Sequence, residues 1–149
     1  MTSIFEPATY YSVISGMFCL AVIVFVILQQ VTAGYGMMYN RKWGPTVNNR
    51  LGWVLMEAPS FIAMLLLWIF SSRAASPAQT VMALLFEAHY FQRSFLFPML
   101  IRGSNRMPLA IILCGVIFNV INAYMIGGWL FYVSPADAYP VSWLWSPLF

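Results

Sequence analysis

The sequence predicts an all-α fold, an integral membrane bundle of four transmembrane helices, and three observations lead there. Charged residues make up 7% of the 149 residues and hydrophobic ones 62%, whereas a soluble domain carries about a quarter charged residues on its surface. The apolar residues fall into four runs, each close to the length of about 20 residues that carries a helix across a bilayer. Within each run the apolar character is continuous and does not alternate, which fits spanning helices and not the strands of a barrel.

The first run, about 11–31, reads "YSVISGMFCLAVIVFVILQQV" and passes into the polar "QQVTAGYG". No basic region precedes it in "MTSIFEPATYYS", and it exceeds the apolar core of a cleavable signal peptide, so it is expected to stay as a signal-anchor. A basic loop, "MMYNRKWGPTVNNR", leads to the second run, about 51–71. The short turn "SRAASPAQ" leads to the third, about 80–101, and the loop "RGSNRMP" to the fourth, about 109–133. The tail "SPADAYPVSWLWSPLF", rich in proline and tryptophan, suits the membrane interface. No internal repeat interrupts this order, so the whole of 1–149 is expected to form a single transmembrane domain.

Lysine and arginine placement orients the bundle. Arg41, Lys42 and Arg50 lie in one loop and Arg102 and Arg106 in another, against Arg73 alone on the opposite side. Both basic loops are therefore expected in the cytosol. The seven basic residues form no aromatic-interleaved patch, so no nucleic-acid partner is expected. Cys19 and Cys114 make no CxxC and no disulfide framework and read as small packing residues. A single histidine, His89, excludes a His-rich metal centre, and no metal site is expected.

Against this apolar background the ionisable groups stand out, since a charge near a bilayer centre costs at least about 2.5–3.5 kcal/mol. Glu57 lies in the second run, roughly 9 Å from its cytosolic end at about 1.5 Å per residue. Pro59 follows in "MEAPSF", where a helix loses a backbone hydrogen bond and can open a cavity. The third run carries Glu87, His89, Tyr90, Gln92 and Arg93. Tyr90 comes to a depth similar to that of Glu57, roughly 16 Å above the cytosolic end of its helix. His89, Tyr90 and Arg93 are expected to share one broad helix face. A tyrosine hydroxyl beside a carboxyl can donate protons to a substrate carbonyl, and Arg93 must pair with a carboxylate or bind an anion such as a phosphate. Glu87 is placed nearer the far side, where water can reach it. Asn119 and Asn122 in "FNVINAYMIGGWL" read first as hydrogen bonds between helices, and Gly127 and Gly128 as a place of close helix approach. No Walker A, GxGxxG or nucleophile elbow is present.

Several stretches resemble the steroid 5-alpha-reductase (3-oxo-5-alpha-steroid 4-dehydrogenase) family: "HYFQRSFLFPMLIRGSNRMPL", "WVLMEAPSF", "NAYMIGGWL" and "GYG" at 34–36. The four matches fall in order and cover nearly the whole chain. The resemblance implies hydride transfer from NADPH to the enone carbon C5 of a 3-oxo-Δ4 steroid, followed by protonation at C4. It maps the pair that polarises the steroid carbonyl onto Glu57 and Tyr90, and cofactor contacts onto Tyr35 and Arg93. Met56 stands where the family has a glutamine. Family members are about seven-span proteins, so the resemblance covers only the N-terminal, substrate-side portion. Most of the NADPH site is expected in a separate C-terminal half, which makes this chain inactive alone: a fragment, a truncated product or one partner of a split enzyme. Enoyl-CoA and polyprenol reductases share the His-Tyr-x-x-Arg element and are the enzymatic alternative. A non-catalytic membrane protein binding lipid or sterol is the other. The residues are compatible with the endoplasmic reticulum of a eukaryote or a bacterial inner membrane.

Overall fold

The computed structural model describes residues 3–34, 43–103 and 105–146. Helix α1 spans Pro7–Leu28, α2 Asn49–Ile69, α3 Pro77–Phe91, α4 Phe97–Leu100 and α5 Leu109–Gly128. A widened π turn, Gln92–Leu96, joins α3 to α4, and another, Trp129–Val133, extends α5. Three helical segments, Pro7–Leu28, Asn49–Ile69 and Leu109–Val133, are long and apolar enough to cross a membrane, and the α3–π–α4 run is one further helical stretch beside them. The protein is a helical membrane bundle.

Local chemistry fixes the helix ends. Pro7 and Pro77 occupy the first helical turn, where the missing N–H has no intrahelical partner to lose. Ser76 caps α3 by accepting from Gln79 N, while the Gln79 side chain accepts from Ser76 N, a complete capping box. Asn48 caps α2 by accepting from Arg50 N at 2.9 Å. α2 and α3 thus begin two or three residues before their apolar runs do, because their caps are polar, whereas α5 begins with its run at Leu109.

One element absent from the apolar-run reading is a small antiparallel sheet, β1 (Thr46–Asn48) with β2 (Arg106–Pro108), pairing Val47 with Met107. It ties the two loops at one end of the bundle, and Arg106 adds bonds to the Thr46 side chain and carbonyl. Arg50 donates to the Ile101 carbonyl at the same end, whereas Arg73 donates to the Tyr132 carbonyl at the other. Arg41 and Lys42 lie outside the described residues.

The interior is built by α2, α3 and α5. Between helices in lipid, close packing replaces the hydrophobic effect, and small residues permit it. Ala78, Ala83 and Ala123 are fully buried, with Met64, Leu130 and Phe131 filling the centre. Gly127 lets α5 approach α2: a Cβ there would lie 2.8 Å from Leu67 Cδ1 and 2.9 Å from Met64 Sδ. Gly127→Val should therefore cost about 1–3 kcal/mol by overpacking, read as a lower midpoint in thermal unfolding of the detergent-solubilised protein.

Helix α1 stands apart. Its N-terminal end is pinned: Tyr10 donates to the Met125 carbonyl at 2.7 Å, Tyr124 donates to the Ile4 carbonyl, and Phe5 stacks on Tyr132 with centroids 3.9 Å apart. Beyond that end α1 is almost wholly exposed, and an apolar groove of about 610 Å³ runs between it and α5. Cys114 lines this groove and is exposed, as is Cys19, so neither cysteine is the packed residue expected from the sequence.

Candidate active site

The polar groups on α2, α3 and α5 converge in two connected clusters. In the first, Arg93 Nη2 lies 2.6 Å from Glu57 Oε1, an ion pair in which the Glu57 side chain is 5% exposed and the Arg93 side chain 38% exposed. The guanidinium carbon lies over the Trp53 ring, 5.2 Å from its centroid. The other Glu57 oxygen faces Asn119 Nδ2 at 3.4 Å, and the same amide donates to the Met56 carbonyl at 2.8 Å. Ser60 donates back to the Asn119 carbonyl at 3.2 Å. These bonds clamp α5 to α2 on both sides of Glu57, at the adjacent Met56 and at Ser60 three residues on, close to Pro59, which lacks the N–H for the Leu55 carbonyl.

With a guanidinium on one oxygen and an amide donor on the other, Glu57 is an acceptor. In this arrangement it cannot donate to a carbonyl. Arg93 is the group able to change that, because more than a third of its side chain faces outward.

The second cluster is Tyr90 with Asn122. Asn122 Nδ2 donates to the Tyr90 hydroxyl oxygen at 2.9 Å. A phenol oxygen that accepts from an amide keeps its own O–H for another acceptor. Tyr90 packs beneath Phe86, ring centroids 4.5 Å apart. Phe86 and Met82, one turn apart on α3, line an apolar groove of about 430 Å³ closed by Tyr10, Met125, Ile126 and Trp129. Tyr90 and Asn122 thus put a free proton donor one helical turn from an apolar groove, whose volume lies within the range of about 300–1,000 Å³ of small-molecule pockets.

Sequence reasoning and structure part company at His89 and Glu87. His89 is exposed while Tyr90 and Arg93 turn inward, so the three do not share a face. The π turn begins only at Gln92, so His89 and Tyr90 are successive residues of α3, about 100° apart around its axis. Glu87 is buried, not at a hydrated edge, and both its oxygens lack a hydrogen-bond partner among the described residues. Asn119 and Asn122 do bridge helices, but each also holds a site residue; their three-residue spacing in an apolar run was the available signal. Met56 turns toward α5, where its side chain fills the space that a Cβ on Gly115 would need. Tyr35 lies outside the described residues.

No protein-family model matches the chain. Among curated proteins it is 29% identical over 140 residues to steroid 5-alpha-reductase DET2 of Arabidopsis thaliana, covering 86% of this chain and 53% of that protein. It is 32% identical over 137 residues to 3-oxo-5-alpha-steroid 4-dehydrogenase 1 of Bos taurus (87% of this chain, 51% of that protein). This chain is a relative of the steroid 5-alpha-reductases. A third member, 3-oxo-5-alpha-steroid 4-dehydrogenase 1 of Mus musculus, is 33% identical over 133 residues and 87% of this chain. The chain spans about half the length of the curated relatives it matches. The resemblance read from the four motifs therefore extends across the bundle just described.

Proposed function

We propose that the chain is the substrate-side portion of an NADPH-dependent membrane oxidoreductase that reduces the C4–C5 double bond of 3-oxo-Δ4 steroids. The observation that carries this reading is the Tyr90 hydroxyl, which accepts from Asn122 and keeps its own proton, on a ring packed against Phe86, one of the residues lining an apolar groove between α3 and α5. The rings of the steroid occupy the groove and its C3 carbonyl meets Tyr90. As hydride reaches C5, negative charge gathers on that oxygen, and a preorganised O–H stabilises it. The relatives named for this reaction on steroids support the substrate class.

NADPH, when bound, supplies the hydride. Of the described residues, Arg93 is suited to its anionic groups: a guanidinium with an outward face, held by one carboxylate and one ring. Turning Arg93 toward a phosphate would release Glu57. Released from that cation, Glu57 would be free to meet a new hydrogen-bond partner. Tyr35 is assigned to the same cofactor side from its motif alone. The rest of the cofactor site is assigned in this reading to a separate C-terminal portion, so the chain by itself is expected to turn over no steroid. With the loops of Arg50, Arg102 and Arg106 in the cytosol, the Glu57–Arg93 pair is reached from that side.

The test is NADPH-dependent reduction of a 3-oxo-Δ4 steroid in membranes holding this chain alone, or this chain joined to the C-terminal half of a relative. Activity restricted to the joined form, and lost in Glu57→Gln and Tyr90→Phe, is the expected result. Folded joined protein that reduces an enoyl thioester and no steroid would move the assignment to the enoyl reductases.

A further inference from the structure

Another groove, of about 430 Å³, runs along the seam between α2 and the π–α4 segment and shares no lining residue with the α3–α5 groove. Arg50, Leu51 and Val54 form one wall, and Phe95, Pro98 and Met99 the other. Its side chains are apolar apart from the guanidinium. Arg50 is anchored: its Nε and Nη2 both donate to the Ile101 carbonyl, at 3.2 and 2.9 Å. Nη1 meets no acceptor among the described residues, and Arg50 is exposed. Charge at this end of the bundle has one sign. Arg102 and Arg106 are exposed there too, whereas the acidic residues lie elsewhere. Glu6 precedes α1 at the opposite end, Asp137 follows α5, Glu57 is held by Arg93, and Glu87 is buried on α3. Apolar surface continues past the groove. Leu55 lies one turn beyond Leu51, and Met99 and Leu100 are 74% and 73% exposed. In a membrane bundle such side chains face acyl chains, which are as apolar as they are.

We propose that this groove binds an anionic phospholipid, its phosphate on Arg50 and one acyl chain laid between Val54 and Met99. Charge complementarity selects the occupant. The open edge of the guanidinium gives a phosphate oxygen a charge-assisted hydrogen bond, and basic pockets between membrane helices hold anionic head groups. A zwitterionic head group brings a cation that finds no carboxylate at this end. A soluble phosphate compound leaves the apolar walls uncovered. The lipid bridges α2 and α4, which Arg50 already ties together through Ile101. The site uses neither Glu57 nor Tyr90 and stands apart from the assignment of the reaction.

The test titrates the full chain in dodecyl maltoside with dioleoylphosphatidylglycerol or dioleoylphosphatidylcholine and counts bound lipid by native mass spectrometry. The first phosphatidylglycerol should bind about fivefold more tightly than the first phosphatidylcholine, the advantage of one arginine near an anionic head group. Arg50→Gln should abolish that preference and weaken phosphatidylglycerol about tenfold, the loss of one hydrogen bond to a charged group. Arg73→Gln, which removes the same charge at the opposite end, should change nothing. Val54→Trp fills the groove and leaves the bonds from Arg50 to Ile101 in place, so its loss of both lipids cannot be ascribed to a broken helix tie. Equal losses in Arg50→Gln and Arg73→Gln would reduce the effect to net charge and overturn the proposal. So would lipid binding that Val54→Trp leaves unchanged, or lipid displaced by excess inorganic phosphate, which would make Arg50 a simple anion site. The chain joined to the C-terminal half of a relative should keep its bound phosphatidylglycerol. Loss of the lipid there would show that protein covers this groove, and the proposal would fall.

Discussion

Replacing Tyr90 by phenylalanine should lower steroid reduction by the joined enzyme about 10²–10³-fold, the usual cost of one preorganised donor to a developing oxyanion. The substitution keeps the ring that packs on Phe86 and removes only the hydroxyl. The donor matters most when charge has built up on the oxygen, so the loss should fall on kcat more than on KM. Asn122 supplies the check on mechanism. It acts through the phenol, donating to its oxygen at 2.9 Å and so aiming the free O–H. Asn122→Leu should cost about tenfold by itself, and adding it to Tyr90→Phe should cost almost nothing more, because coupled groups are not additive. Full additivity of the two would show that Asn122 acts elsewhere. Steady-state kinetics of the four proteins, at saturating NADPH with steroid varied, decides it.

The order of the bundle was legible in the sequence because lipid demands long apolar segments, and 62% hydrophobic residues leave few other arrangements. Which side of each helix turns inward was much less legible. In a soluble helix the polar stripe marks the outside, but lipid and core are both apolar, so Phe91 outside and Ala83 inside leave no pattern. Glu57 and Arg93 could be paired from sequence because each is costly alone and they lie at related depths. Glu87 could not be placed, since depth along a helix says nothing about its azimuth. The same holds for His89: it is the neighbour of Tyr90 on α3, and nothing in the sequence tells which of the two turns inward. The strands "TVN" and "RMP" are three residues each and pair only because the helix ends bring their loops together.

Arg93→Met should destabilise the folded bundle by about 2–3 kcal/mol, below the range of about 3–5 for breaking a fully buried pair. The discount reflects the Arg93 side chain, which is 38% exposed before any substitution. What remains comes from Glu57, only 5% exposed and left with a single long contact to Asn119 at 3.4 Å. The sign of the second substitution separates charge from packing. If the cost is an unpaired carboxylate, Glu57→Gln in the Arg93→Met background should restore at least half of the lost stability, because a neutral amide needs no counter-ion. If the cost is lost contact with the Trp53 ring, which lies 5.2 Å from the guanidinium carbon, Glu57→Gln should restore nothing. The same pair also reports on function. Glu57 kept as an acceptor by Arg93 should bind no better to a ketone than glutamine does, until an anion competes for the guanidinium. Adding 2′-phospho-ADP-ribose, an anionic part of the cofactor without its nicotinamide, to the joined protein should therefore increase ketone affinity when Glu57 is present and leave Glu57→Gln unchanged. An equal increase in both would mean that Arg93 and Glu57 do not exchange partners, and that their ion pair only holds α2 against the π turn.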